Sequence, residues 1–128
     1  PRINANCITN TPFEINEEQI IPIDGLHYKL QVFGFRIGEF TYITDMNSIS
    51  EKEIEKIKGT KVLVLNALQK KPHISHFNLE EALEMVKTIN PEKAYFTHLS
   101  HTMGLHDTVS TELPPNVEFA FDGLEIEL

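Results

Sequence analysis

Residues 62–97 read VLVLNALQKKPHISHFNLEEALEMVKTINPEKAYFT, and this stretch decides the fold. Val62 to Leu65 is an unbroken apolar run, the pattern of a strand covered on both faces. Asn78 is placed to cap a helix, with Glu81 completing a capping box three residues on. Leu79, Ala82, Leu83 and Val86 then recur at i, i+3, i+4 and i+7, which is one apolar stripe. Pro91 bars the helix from passing Asn90. Ala94 to Thr97 returns to strand character. Strand, helix and strand in this order predict a layered α/β domain.

Upstream, Ile20 to Ile23 is apolar enough for a strand, with Pro22 favouring a sheet edge. Leu30 to Ile37 and Phe40 to Thr44 read as a paired unit around the short Gly38-Glu39 link. Ser50 and Glu53 form a second capping-box signature, for a helix running to about Lys58 and stopped by Gly59. Downstream, a short helix is expected from Leu105 to Leu113, before Pro114-Pro115. Val117 to Phe121 and Leu124 to Leu128 are expected to close the chain as a hairpin around Asp122-Gly123. Strands come first in hairpins and later alternate with helices. The expected architecture is α/β, a mixed sheet with helices on one face, and it leaves open what covers the other face.

Composition narrows the function. The chain has 128 residues, enough for one domain with a core, and carries a formal net charge of −8. That charge disfavours a broad nucleic-acid-binding face. It does not exclude phosphate esters, because a bound dication dominates its local field. No run of 18 apolar residues is present, so no membrane span or membrane partner is expected. Pro1 to Asn6 lacks the pattern of a secretory signal, and the lone Cys7 cannot form an internal disulfide. A cytoplasmic location is the expectation. The chain opens on Pro rather than Met, which suggests a trimmed or partial polypeptide.

Chemistry-bearing residues gather where strands are expected to end. Asp45 follows Tyr42-Ile43-Thr44, and His98 follows Tyr95-Phe96-Thr97. Imidazole and carboxylate are the ligand types that divalent transition metals take. The plainer reading of Asp45 is a turn cap, and that of a lone His98 is packing. The segment from Asn66 to Phe77 is long for a connection and suits a site wall or lid. It carries Lys70, Lys71, His73 and His76, the two lysines reading best as a solvated pair. His76 stands two residues before the Asn78 cap, near the positive end of a helix dipole, which favours neutral imidazole. His27, after Asp24-Gly25-Leu26, alone reads as a surface residue, and His101 and His106 carry no fixed meaning.

Taken in order, Phe33-Gly34-Phe35, Tyr42-Ile43-Thr44-Asp45, His76-Phe77-Asn78-Leu79, Thr97-His98-Leu99-Ser100-His101 and Phe121-Asp122-Gly123-Leu124-Glu125-Ile126 resemble the metallo-β-lactamase superfamily. They look most like its phosphodiesterase branch, which includes tRNA 3′-processing endonucleases and the phosphoribosyl cyclic phosphate phosphodiesterase. The resemblance implies half of an αββα sandwich holding two divalent ions, Zn or Mn, that activate water against a phosphate ester. His27, Asp45 and His98 would then be metal ligands, Asp45 bridging both ions, and His76 would be a catalytic residue assisting the phosphate or leaving group. His101 and His106 would serve as lid or outer residues. The family's leading His-x-His-x-Asp-His motif does not occur in these residues. The chain, residues 1–128, therefore reads as the C-terminal half of such a domain, binding metal weakly or not at all and inactive alone. Its expected partner is the missing N-terminal half or a second copy of itself. The competing reading is a non-catalytic α/β interaction module. Within enzymes, a tRNA-processing nuclease or a thioester or lactam hydrolase stands as the alternative.

Overall fold

A computed structural model describes all 128 residues, Pro1–Leu128. Its frame is one seven-stranded sheet whose strands lie side by side in chain order. The strands are β1 (Phe13–Ile15), β2 (Glu18–His27), β3 (Leu30–Ile37), β4 (Phe40–Ile43), β5 (Val62–Asn66), β6 (Lys93–Thr97) and β7 (Val117–Phe119). The first four pair antiparallel and the last four pair parallel, so the sheet is mixed.

Parallel neighbours need crossovers, and these are helical. They are α1 (Glu51–Ile57), α2 (Leu79–Ile89) and a segment holding the single turn α3 (His106–Val109) between two 3₁₀ turns. Crossovers between parallel strands are right-handed. Stepping always toward the same edge, they put every helix on one face. That face is the core. Ile43, Leu63, Leu65, Ala94, Phe96 and Phe119 point into it and meet Ile57 of α1 and the α2 stripe of Leu79, Ala82, Val86 and Ile89. Each of the larger apolar side chains contributes about 1.5–3 kcal/mol by leaving water, and each alanine less. A charge placed at Val86 would break the stripe.

The opposite face holds Phe35, Tyr42 and Tyr95, all half-buried or exposed, with Phe13 edge-on to Phe35 at 6.5 Å. No helix covers it. The expected mixed sheet with helices on one face is what the chain forms, one layer pair of an αββα sandwich.

Local signals explain the element ends. Asn78 and Glu81 make both halves of the capping box, and Asn90 ends α2 in the left-handed region with φ 54°. Ser50 accepts from the Glu53 amide as expected. The Glu53 carboxylate does not return to Ser50, however. It turns inward to the Asp24 amide, 2.9 Å, and to Lys56, 2.8 Å, because burial there supplies stronger donors.

Two expectations need correction, and one strand was not anticipated. β2 is longer than Ile20–Ile23, and it is an interior strand where β1 pairs with it. Pro22 is nonetheless tolerated, because the β1 ladder covers only Glu18 to Ile20. The β1 strand itself went unread. It is only three residues long, and its turn uses Asn16 and Glu17 at φ 49° and 70° rather than a glycine. The closing hairpin does not form. The turn at Asp122-Gly123 exists, with the Leu124 amide donating to the Phe121 carbonyl at 3.1 Å. Beyond it no strand follows, and Glu127 and Leu128 instead line a cleft with Ile37, Phe40 and Val62.

Candidate metal site at the strand ends

Strand direction builds the site. β2 and β4 both run antiparallel to β3, and β4, β5 and β6 run parallel. The C-terminal ends of β2, β4, β5 and β6 therefore share one edge of the sheet, where open α/β sheets bind ligands. His27 is the last residue of β2. Asp45 lies just past β4 and His98 just past β6. The segment after β5 brings His73 and His76 to the same edge.

Asp45 is the centre. Its Oδ1 lies 3.2 Å from His76 Nε2 and 3.3 Å from His98 Nε2. Its Oδ2 accepts from Thr44 Oγ1 at 3.3 Å. The His76 ring is stacked on His98, with centroids 4.8 Å apart, and edge-on to His27 at 4.7 Å. Ligand atoms of His27, Asp45 and His76 all lie within 4.8 Å of one another.

Asp45 and His98 both occupy the left-handed region, with φ 57° and 60°. Such positions cost on the order of 1–3 kcal/mol and persist only where the surroundings impose them. For Asp45 the imposing group is Asn66, the fully buried last residue of β5. Asn66 Oδ1 accepts from the Met46 amide at 3.1 Å, and its Nδ2 donates to the Met46 carbonyl at 2.9 Å. Both backbone groups of the residue after Asp45 are thus fixed by one side chain. The segment carrying His76 is held as firmly. The Leu68 amide donates to Phe77, that of Phe77 to Met46, and that of Leu79 to Gln69. It is a wall closed on its own hydrogen bonds.

Protonation follows from contacts. For Asp45, burial raises the pKa, but the hydrogen bond from His76 and the charge of His98 outweigh it and hold the carboxyl below its ordinary range. For His76, burial lowers the pKa. Asp45 opposes this, and the neighbouring His98, His27 and His73 add to it. Near neutral pH the pair is therefore an ionised carboxylate and a neutral imidazole. The Ser75 amide donates to His73 Nδ1 at 3.2 Å, so a neutral His73 carries its proton on Nε2. His76 Nδ1 faces Ser75 Oγ at 3.0 Å, which leaves Nε2–H of the neutral ring to donate to Asp45.

The donor chemistry fits a divalent cation: one ionised carboxylate among imidazoles, of which His76 is held below its ordinary pKa. Zn takes four ligands, or three and water. His27, Asp45 and His76 give the chain some metal-binding potential of its own, rather than none. His27, Asp45, His98 and His76, the four residues singled out in the sequence, are all brought together. His73 joins them, its Nδ1 3.2 Å from that of His76. The sequence assigned it no role, although its spacing of three from His76 was a usable signal. His101 and His106 stay outside. His101 is exposed, and His106 packs at 5.8 Å on Phe119 beside Asp107. Lys70 turns away to Glu112 at 2.9 Å.

Comparison with known proteins agrees with this geometry. A diphosphatase of the PhnP family superposes with a TM-score of 0.91 at 30% identity, over 94% of this chain and 47% of that one. The short form of human tRNase Z superposes with a TM-score of 0.70 at 15% identity, over 90% of this chain and 45% of that one, which shows the shared fold. In sequence, an octanoyltransferase of Porphyromonas gingivalis is 35% identical over 115 residues, 89% of this chain but 23% of that protein. The chain thus spans about half the length of these solved structures and about a quarter of that relative. Residues 2–99 match the beta-lactamase superfamily domain, and the chain belongs to that family, with a PhnP-family diphosphatase among its near structural neighbours.

Proposed function

We propose that this chain is the second half of a metal-dependent hydrolase of the phosphodiesterase type. The observation carrying this reading is Asp45, ionised and met by His76 and His98 within 3.3 Å at a strand-end edge. His27, Asp45 and His98 would hold divalent cations, with Asp45 shared. A divalent cation there supplies Lewis acidity toward a phosphoryl oxygen. The chain's own residues do the rest. His76, its Nε2 3.2 Å from Asp45, would assist the phosphate or the leaving group, giving a proton to a departing alkoxide from its imidazolium form and returning to neutral imidazole. The Asn78 end of α2 orients the segment that carries it.

The uncovered sheet face fits a second half of the same domain, whose side chains would bury Phe35, Tyr42 and Tyr95. The remaining ligands would come from that half. Full-length protein should hydrolyse a simple phosphodiester such as bis(p-nitrophenyl) phosphate with added Zn or Mn. This chain alone should not, and adding the other half should restore turnover. Full-length protein that takes up no metal and cleaves no ester would refute the reading.

One observation favours a second reading. The Porphyromonas gingivalis relative is named for acyl transfer, and the same polarising chemistry acts on carbonyls. An acyl thioester substrate would show as thioester cleavage exceeding phosphodiester cleavage by the same preparation.

A further inference from the structure

We infer that Asn47 is a positioning residue that sets the distance between the β2 end and the histidine-bearing wall, and so the shape of the metal site. The inference rests on the proposed site but on separate observations. Asn47 lies two residues past Asp45 and makes three hydrogen bonds with two other limbs of the cluster. Its amide donates to the Leu26 carbonyl at 2.8 Å. Its Oδ1 accepts from the Tyr28 amide at 3.0 Å. Asn47 therefore grips the residues on both sides of His27. Its Nδ2 donates to the Ile74 carbonyl at 3.0 Å. Ile74 lies between His73 and Ser75, two residues before His76.

One short side chain thus ties the limb of Asp45 to the limb of His27 and to that of His76. Only an amide does both jobs, because one end must accept and the other must donate. The grip also explains a strained residue. Tyr28 sits at φ 57°, and the turn after His27 takes that form with its amide aimed at Asn47. Without the side-chain bracket, the hairpin end and the wall are linked only indirectly, through the backbone bonds of Leu26 with Ser48 and Asn47 and of Phe77 with Met46. His27 and His76, now edge-on, would sample wider separations. A cation needs ligand atoms held to a few tenths of an ångström, and loss of such supporting contacts costs 10–100-fold in metal affinity.

The test uses full-length protein with three measurements: zinc affinity by chelator competition, melting temperature of the metal-free protein, and exchange of the Tyr28 amide. Asn47→Ala should weaken zinc binding 10–100-fold and speed Tyr28 exchange, with a small change in metal-free melting temperature. Ser50→Ala removes the α1 cap, away from the cluster. It should lower the melting temperature at least as much while zinc affinity stays within about threefold of the parent. Asn47→Asp keeps the acceptor but puts a carboxylate against the Ile74 carbonyl, so Tyr28 should stay protected while the wall loosens. Zinc affinity of Asn47→Ala within threefold of the parent, or an equal loss in Ser50→Ala, would overturn the role. Parent protein that binds no zinc would instead defeat the functional reading. Tyr28 exchange would still judge the bracket: unchanged in Asn47→Ala, it overturns it.

Discussion

Two carboxylates sit in comparable places and do different things. Glu53 of α1 and Asp45 after β4 are both held below the ordinary carboxylate range, each against an opposing burial effect. Around Glu53 the donors are Lys56, the Asp24 amide and Asn10. Lys56 and the backbone amide have no lone pair to offer, the Asn10 carbonyl oxygen is taken by Lys56 at 2.8 Å, and the carboxylate is almost fully enclosed. Around Asp45 the neighbours are imidazoles, which can hold a proton or give a lone pair to a cation, and its side chain is 44% exposed. A lowered pKa marks both regions. Only the chemistry of the surrounding donors separates a fastener from a site.

Substitutions can break that contrast. The largest effect is expected from Asp45→Ala in full-length protein: loss of turnover by at least about a thousandfold and reduced metal content. Metal-free stability should change little, since the side chain is half-exposed. Retention of both activity and metal would remove Asp45 from the centre. Next is His76→Ala, which should lower the rate about 10²–10⁴-fold while bound metal, measured by elemental analysis, stays nearly intact. Loss of metal instead would make His76 a ligand, as its place beside His27 and Asp45 allows.

Glu53→Gln should act the other way. Stability should fall by roughly 2 kcal/mol in denaturant titration, because the Lys56 partner loses its charge and the amide nitrogen must replace either Oε2, which accepts from the Asp24 amide and Lys56, or Oε1, which accepts from Asn10. Metal affinity should not move. A matching loss of metal would erase the distinction between the two acids.

The smallest effect is on pH dependence. His76 is held below its ordinary pKa, so the unfolded chain binds its proton first as pH falls. Metal-free stability should therefore fall on acidification below the unfolded-state value of about 6.5. His76→Gln should flatten that slope. Asp45, also lowered, adds a separate loss only below its ordinary value of 3.8, as the pH falls toward its folded pKa. A slope unchanged in His76→Gln would mean that other groups carry it.

Much of this was legible in the sequence, for stated reasons. The capping box at Asn78 and Glu81 and the stripe from Leu79 to Val86 gave α2, since both signals are local. Apolar runs gave β5 and β6, and the short glycine-bearing link gave the β3–β4 pair. The closing hairpin was misread because Asp122-Gly123 signals a turn whether or not strands follow. Glu53 was misread as half of a capping box because the sequence does not reveal that Asp24 and Lys56 would be nearer. Asn47 carried no readable role, and His73 only its spacing of three from His76, because their partners are fixed by packing.

The sequence alone determined which residue types stand at strand ends, and with them the family and the four residues worth testing. Convergence was decided in three dimensions. β2 and β4 point the same way only because β3 lies between them, and that direction puts His27 beside residues 18, 49 and 71 positions further along. Local free energies of capping and periodicity are written in neighbouring residues. The placing of one imidazole 3.2 Å from a carboxylate 31 residues away depends on the whole sheet closing, and no local pattern records it.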